Sequence, residues 1–247
     1  MAGTIRIGIG GWTYERWRGL FYPAGLPQKQ ELTFAAGKLT SIEINGTYYS
    51  TFKSNSWAKW RDETPSGFVF AVKALRYCTN RRVLAEAGDS VKRFLDQGLT
   101  ELGDRLGPIN WQFMASKKFD PVDFEAFLKL LPSELGGRPL RHALELRSPT
   151  FKNEQFYDLA RRYKVAVCFA DDDEFPVLDE TTTDFTYARL MRSKDEIETG
   201  YGARDLDSWA KKAKEWAKRG DAFVYFISGD KHRNPAAAMA LIERTKK

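Results

Sequence analysis

Three carboxylates and one amine are the side chains of this sequence best placed for acid–base chemistry. Glu43, Glu145 and Asp171 stand in or at the end of short apolar segments predicted to be β-strands, and Lys73 ends another such segment. Carboxylates act as general acid and general base when burial and neighbouring cations separate their pKa values. We therefore take Glu43, Glu145, Asp171 and Lys73 as candidate catalytic residues.

Cationic side chains at the same strand ends favour an anionic ligand. Arg147 and Arg189 can bind phosphate or carboxylate through two parallel hydrogen bonds, and Lys73 can add a point charge. The chain has 39 Lys and Arg against 33 Asp and Glu, a formal charge of +6, which favours encounters with phosphates and anionic metabolites. A second anion site is expected in the loops at 192–194, 200–204 and 229–235, the last of which runs into a helix N-terminus.

Aromatic residues cluster in the first two loops of the chain. Their flat faces can stack on a sugar or a nucleobase, and they can equally serve to anchor the loops. The cluster comprises Trp12, Tyr14, Trp17, Tyr22, Tyr48 and Tyr49.

These side chains must be positioned by eight strands that alternate with helices. The apolar segments predicted as strands are 5–11, 41–45, 69–74, 109–113, 143–147, 165–171, 185–191 and 222–228. Helical spacing of apolar residues recurs between most of them, as in 89–106, where Asp89 or Ser90 is placed to cap, and from Pro121, with Asp120 as the N-cap. Asn234 and Pro235 open the last helix in the same way.

This alternation predicts an α/β protein with a single (β/α)8 TIM barrel over residues 1–247. The sixth βα unit is irregular, because only about a dozen residues separate strands six and seven and a covering helix would not fit there. In such a barrel the chemistry lies at the C-terminal ends of the strands. Alternation along each strand then directs the polar residues inward, which we expect for Glu43 with Asn45, Glu145 with Arg147, and Tyr187 with Arg189. Lys73, Gln112 and Asp171 are expected at the same mouth.

A series of motifs along the chain carries a family resemblance. The segments G-G-W-T-Y-E-R-W-R-G-L-F-Y-P, E-I-N-G-T-Y-Y and T-P-S-G-F-V-F-A-V-K are followed by W-Q-F, E-L-R and Y-A-R-L. In this order they resemble the domain-of-unknown-function 72 family, also called YecE-like, from about residue 5 to the last helix. The resemblance implies a TIM barrel without an established activity. It also implies that substrate-binding residues lie at Trp12, Tyr14, Asn45, Thr47, Tyr49, Gln112, Arg147, Tyr187 and Arg189, beside the candidate catalytic residues.

Two positions depart from the pattern that the resemblance implies. Family members commonly have His after the Glu-x-Arg of strand five, where this chain has Ser148, and an Asn pair after strand eight, where it has Ile227 and Ser228. If that His were an essential base, the activity of this chain would be altered.

Several functions fit these residues. We expect an enzyme, with hydrolysis favoured, that acts on an anionic small molecule, a phosphosugar, a nucleotide or nucleic acid; the alternatives are a binding module for nucleic acid or a nucleotide metabolite, and a glycosidase that uses Glu43 and Glu145. With only two histidines a multinuclear zinc site is not expected, no cofactor is firmly implied, and Mg²⁺ or Mn²⁺ on Glu43, Glu145 and Asp171 stays open. No apolar run is long enough to span a membrane, so we expect a cytoplasmic protein.

Overall fold

Parallel strands form the centre of the molecule. The computed structural model describes residues 2–228 and 231–246. Seven strands are continuous and the sixth is formed by two short pieces. The strands are β1 (Ile5–Gly10), β2 (Ser41–Ile44), β3 (Val69–Lys73), β4 (Leu106–Gln112), β5 (His142–Glu145), β6 (Ala166–Val167 and Phe169–Asp171), β7 (Thr186–Leu190) and β8 (Ala222–Phe226).

These strands curve into a nearly closed barrel. β1 pairs in parallel with both β2 and β8, which joins the first strand to the last. The first piece of β6 pairs with β5 and the second with β7, and the backbone N–H of Cys168 between them donates to the carbonyl of Leu144 at 2.9 Å. The predicted (β/α)8 barrel is therefore confirmed.

The described residues also form seven α-helices around the sheet. They are α1 (Glu31–Ala36), α2 (Ser54–Asp62), α3 (Gly88–Leu95), α4 (Pro121–Lys129), α5 (Glu154–Arg162), α6 (Ala203–Ala217) and α7 (Asn234–Thr245). A two-residue antiparallel hairpin, Glu134–Leu135 with Arg138–Pro139, precedes β5. The segment between β6 and β7 contains no helix, as the spacing of these strands predicted. Within the described ranges, no helix has the length and apolar character needed to cross a membrane.

Two of the predicted side-chain caps and one predicted helix length are wrong, whereas the last helix does begin at Asn234 and Pro235. The segment 89–106 is a short helix, α3, followed by a 3-10 segment, Leu99–Arg105, because Gly98 adopts φ +102 and interrupts the α-helix. α3 begins at Gly88 without a side-chain cap, and α7 begins at Asn234, whose side-chain oxygen accepts from Ser193 instead of capping. The start of α4 is as predicted, since Asp120 accepts from the N–H groups of Val122 and Asp123.

Small residues and rings fill the lower barrel interior. The inward-facing cluster includes Val69, Ala71, Ala143, Ala166, Cys168, Phe185, Tyr187, Phe223 and Tyr225. The larger apolar side chains, Trp57, Trp111 and Phe226 among them, pack in the layer between strands and helices. Cys78 and Cys168 are both free and buried, and they serve as small core side chains.

Close approach of two strands requires a glycine in β1. Gly8 lies opposite Ser41 of β2 and Tyr225 of β8. A Cβ atom on Gly8 would lie 1.8 Å from the carbonyl oxygen of Ser41. Rotation of a side chain cannot relieve this clash, because the carbonyl oxygen belongs to the backbone. Because Gly8 has no side chain on the inner face of β1, Tyr225 can occupy the space beside it. The Tyr225 hydroxyl lies 2.7 Å from Ser41 Oγ.

We expect Gly8→Ala to lower the free energy of unfolding by about 3 kcal/mol or more, since the strands must move apart. Gly88→Ala is the matched control, because its Cβ would meet only Leu130, at 3.9 Å, and alanine favours the helical conformation that Gly88 has in α3. Denaturant unfolding of both variants measures the difference. Equal stabilities would contradict the close approach of β1 and β2.

Candidate functional site

A buried arginine holds two glutamates together at the upper end of the barrel interior. Arg189 of β7 donates from Nη2 to Glu43 Oε1 at 3.2 Å and from Nη1 to Glu145 Oε2. Its exposed fraction is 2%, and those of Glu43 and Glu145 are 0% and 1%. Asn110 of β4 also joins the two carboxylates, with Nδ2 3.3 Å from Glu43 Oε2 and 3.2 Å from Glu145 Oε2. The inward prediction for all three charged residues is confirmed.

The surrounding charges keep Glu145 and Arg189 ionised. Burial alone would raise the pKa of Glu145, but Arg189, Arg147 and Lys73 outweigh it and lower this pKa to about 2. Burial likewise opposes the charge of Arg189, and the carboxylates of Glu145 and Glu43 raise its pKa above the ordinary value. Glu145 is therefore an anion at every physiological pH.

Tyr187, in the lower part of the barrel interior, forms a hydrogen bond with this network. Its hydroxyl donates to Glu43 Oε2, and burial together with the nearby Glu43 raises the pKa of Tyr187, so the phenol stays protonated. Tyr187 is fully buried. The prediction that Tyr187 binds substrate does not fit this position, because its hydroxyl is used to orient Glu43.

Two cations form the open side of the network. Arg147 donates from Nε and Nη2 to Glu145 Oε1, at 3.1 and 2.9 Å, and its guanidinium lies 4.6 Å from the ring centre of Phe175. Lys73 Nζ lies 4.4 Å from the ring centre of Tyr48, and within the described part of the chain it makes neither a hydrogen bond nor an ion pair. Burial, with a smaller contribution from Arg189, lowers the pKa of Lys73 to about 8.

Asp171 does not join this network. It pairs in register with Leu190, whereas Ala170 pairs with Arg189, so Asp171 lies on the helix-facing side of β6. Its carboxylate lies 3.3 Å from Arg192 Nε, and burial raises its pKa. The prediction that Asp171 shares a mouth with Glu43 and Glu145 is therefore wrong.

The remaining polar residues divide into anchors and unpaired groups. Thr47 is fully buried, and its hydroxyl lies 2.6 Å from the carbonyl of Lys73 and 3.0 Å from that of Ile44, so it fastens the loop after β2 and does not face a ligand. Its predicted contact with substrate does not fit this position. Among the described residues, the side-chain oxygens of Asn45, Asn110 and Gln112 are buried without a hydrogen-bond partner. Unpaired acceptors are costly, which favours a polar ligand beside them.

The predicted aromatic residues line the first two loops in different ways. Trp12 is edge-on to Trp60 with ring centres 5.2 Å apart, and Tyr14 packs on Trp17 at 5.4 Å. Tyr49 is 67% exposed and meets Tyr48 at 5.1 Å. Of these rings, Tyr49 is thus the most accessible to a ligand.

The loops after β7 and β8 are tied to each other. Ser228 Oγ accepts from the backbone N–H of Ser193 at 3.0 Å, and Ser193 Oγ donates to Asn234 Oδ1 at 2.9 Å. Gly229 and Asp230 lie outside the described residues, so the predicted second anion site stays a prediction. Ser148, the other departure from the family pattern, is buried and its hydroxyl lies 2.9 Å from that of Thr150.

Asn110 is the principal site residue that the sequence reasoning missed. Its signal was present, because Gln112 was placed at the mouth and Asn110 stands two residues earlier on the same strand face. Phe175 and Trp60 were also missed. Phe175 belongs to the irregular segment after β6, where no periodicity directs a side chain.

The three carboxylates considered as ligands of Mg²⁺ or Mn²⁺ do not converge. Asp171 lies on the other face of its strand, and the oxygens of Glu43 and Glu145 accept from arginine, asparagine and tyrosine donors. Over residues 2–228 and 231–246, no group of three or more His, Cys, Asp or Glu side chains is placed to hold a metal ion.

Acid unfolding tests the charge network. The folded pKa of Glu145 is depressed from 4.5 to about 2, so its contribution to stability is complete above pH 4.5 and is lost as the pH falls through about 2. This contribution is on the order of 3 kcal/mol. Glu145→Gln should lower the free energy of unfolding at neutral pH by about 3–5 kcal/mol, because Arg189 and Arg147 lose an anionic partner.

The same variant should have a weaker dependence of stability on pH between about 4.5 and 2 than the wild type, measured by denaturant titration at each pH. Glu215→Gln is the control, since Glu215 pairs with Lys218 on the exposed face of α6 and should leave both quantities unchanged. Identical acid profiles of Glu145→Gln and the wild type would contradict the network.

Solved structures resemble this chain over almost its whole length. A DUF72 family protein from Thermotoga maritima has a TM-score of 0.76 at 24% identity, covering 98% of each chain. A DUF72 family protein from Enterococcus faecalis V583 has a TM-score of 0.72 at 16% identity, again covering 98% of each chain. SacUVDE has a TM-score of 0.59 at 11% identity, with 98% of each chain covered. At these identities the likeness establishes the fold.

The sequence itself identifies the family. No curated protein matches the chain. The family described as "Protein of unknown function DUF72" matches residues 6–247, which confirms the resemblance drawn from the motifs. With the barrel and the motif residues in place, the chain belongs to the DUF72 family.

Proposed function

We propose that this protein is an enzyme, with hydrolysis as the favoured reaction, that binds a phosphate-bearing or otherwise anionic substrate at the C-terminal mouth of the barrel. The observation that carries the proposal is the charge balance of the network. Arg189, Arg147 and Lys73 stand against two carboxylates, Glu43 and Glu145. Since Arg189 is buried between the carboxylates, the surplus positive charge is presented by Lys73 and Arg147, the two cations on the open side.

The pKa values separate the roles of these groups. Lys73, with a pKa of about 8, can hold or release a proton near neutral pH, which suits general acid–base catalysis. Glu145, with a pKa of about 2, has no proton to give and is too weak a base to take one, so it positions Arg147. Lys73 therefore replaces Glu145 as the proton-transfer candidate, and Glu43 keeps its predicted role.

The geometry does not favour a glycosidase. Such an enzyme places a sugar and its scissile bond between two carboxyl groups. Here the amide of Asn110 and the guanidinium of Arg189 both bridge Glu43 and Glu145. A binding module without turnover is the second candidate, because the ammonium of Lys73, which has no ion-pair partner among the described residues, would equally attract a phosphate that is never cleaved.

Anion affinity should depend on pH through Lys73. We expect sulfate, which does not change its own charge between pH 6 and 10, to bind more weakly as the pH rises through about 8, because the ammonium of Lys73 loses its proton there. Lys73→Arg keeps the charge across this range and should remove the inflection. Isothermal titration at several pH values measures both proteins. An inflection that persists in Lys73→Arg would assign it to another group.

Turnover separates the enzyme from the binding module. The wild type is screened by thermal shift against phosphosugars, nucleotides and oligonucleotides, with and without Mg²⁺ or Mn²⁺, and each ligand that binds is assayed for product. We expect Lys73→Met to lower the rate by at least about 100-fold while the melting temperature is retained, since the lysine is partly exposed and, among the described residues, has no ion-pair partner to lose. Glu43→Gln should also lose turnover.

Tyr77→Phe serves as the control, because this exposed tyrosine contacts Arg76 on the rim and does not reach the network. Ligands that bind tightly and are never converted would favour the binding module. A screen in which no anion binds would remove the main support for the phosphate-bearing substrate.

A further inference from the structure

A separate cleft opens between the loops that follow β1 and β2. Its volume is about 390 Å³, within the range of small-molecule sites. Gly10, Trp12, Asn45, Tyr49 and Trp60 belong to its lining. The role described above for Lys73 and Arg147 does not use this cleft.

Glycines and interlocked rings give the cleft its shape. β1 ends at Gly10, where a Cβ atom would lie 2.5 Å from Asn45 Nδ2, and Gly11 follows with φ +74 and open space where a Cβ would stand. Trp60 is held edge-on by Trp12 at 5.2 Å and by Phe52 at 5.0 Å. The rings pack edge to face and brace one another, which gives the cleft aromatic walls on which a planar ligand can stack.

Asn45 supplies an unmet polar group beside these rings. Its Oδ1 is buried and, among the described residues, has no hydrogen-bond partner. A side-chain amide carries both an acceptor and donors, and asparagine pairs in this way with the edge of a nucleobase such as adenine. A sugar could stack on the rings, but a base combines an edge that the amide of Asn45 can recognise with a flat face that stacks over its full area.

Two tyrosines connect the cleft to the anion site. Lys73 Nζ lies over the ring of Tyr48 at 4.4 Å, and Tyr48 meets Tyr49 of the cleft at 5.1 Å. Tyr49 is 67% exposed, so its ring is available for stacking. Lys73, a cation that can bind phosphate, is therefore separated from the cleft only by the rings of Tyr48 and Tyr49.

We propose that this cleft binds the nucleobase of a nucleotide whose phosphate is held by Lys73 and Arg147. The phosphate end of the ligand rests on the proposed function, whereas the ring end is independent of it. Stacking of a base on an aromatic side chain contributes about 1–3 kcal/mol, equivalent to a roughly 5- to 150-fold gain in affinity.

Isothermal titration with the four ribonucleoside 5′-monophosphates, ribose 5-phosphate and the free nucleosides tests both ends. At least one monophosphate should bind about 10-fold or more tightly than ribose 5-phosphate. Tyr49→Ala and Asn45→Leu should each reduce this advantage without changing the affinity for ribose 5-phosphate. Tyr77→Ala is the matched control, an exposed tyrosine that does not line the cleft, and should leave all affinities unchanged.

The outcomes separate the two proposals. If every monophosphate binds no better than ribose 5-phosphate, or if Tyr49→Ala and Asn45→Leu leave the advantage intact, the nucleobase assignment is overturned while the anion site stands. If nucleosides bind and lose affinity in Tyr49→Ala, but phosphate adds nothing, the cleft is supported and the anion site fails. Absence of binding by all of these ligands would overturn both.

Discussion

The upper half of this barrel depends on one guanidinium. Arg189 lies between Glu43 and Glu145, and all three residues are almost fully buried, so bulk water does not solvate their charges. Burying an ion costs several kcal/mol unless its partners are well placed. The shared donor Asn110 and the phenol of Tyr187 provide the further hydrogen bonds that such a group needs. Four strands, β2, β4, β5 and β7, are thereby joined at one level of the barrel.

Small residues elsewhere in the barrel make this network sterically feasible. Alanines on the inner faces of β3, β5 and β6, and glycines on that of β1, leave room for long polar side chains from the neighbouring strands. Other large side chains, Trp57, Trp111 and Phe127 among them, pack in the layer between the strands and the helices. The barrel is stabilised by its exterior core, and its upper interior is free to hold charge.

Strand alternation predicted much of the site and, applied consistently, would have predicted more. It placed Glu43, Glu145 and Arg189 inward, where the structure has them. In the segment 165–171, the large residues Val165, Val167 and Phe169 share their parity with Asp171, which marks it as helix-facing. This parity is a stronger indicator of side-chain direction than a position at the strand end. The helix predicted over 89–106 failed for a similar reason, because Gly98 had a stronger effect on the backbone than the apolar spacing on either side.

Other features could not follow from sequence alone, because they depend on contacts between distant residues. Tyr187 and Glu43 are 144 positions apart, and only the folded barrel shows that the Tyr187 hydroxyl donates its hydrogen bond to Glu43. The same holds for the charge of Lys73. Both carboxylates are already held by Arg189, and Glu145 also by Arg147, so the ammonium is left without an ion-pair partner among the described residues while burial makes its charge costly. An anion that entered the mouth would stabilise the positive charge of Lys73, because the network leaves this ammonium without an ion-pair partner among the described residues.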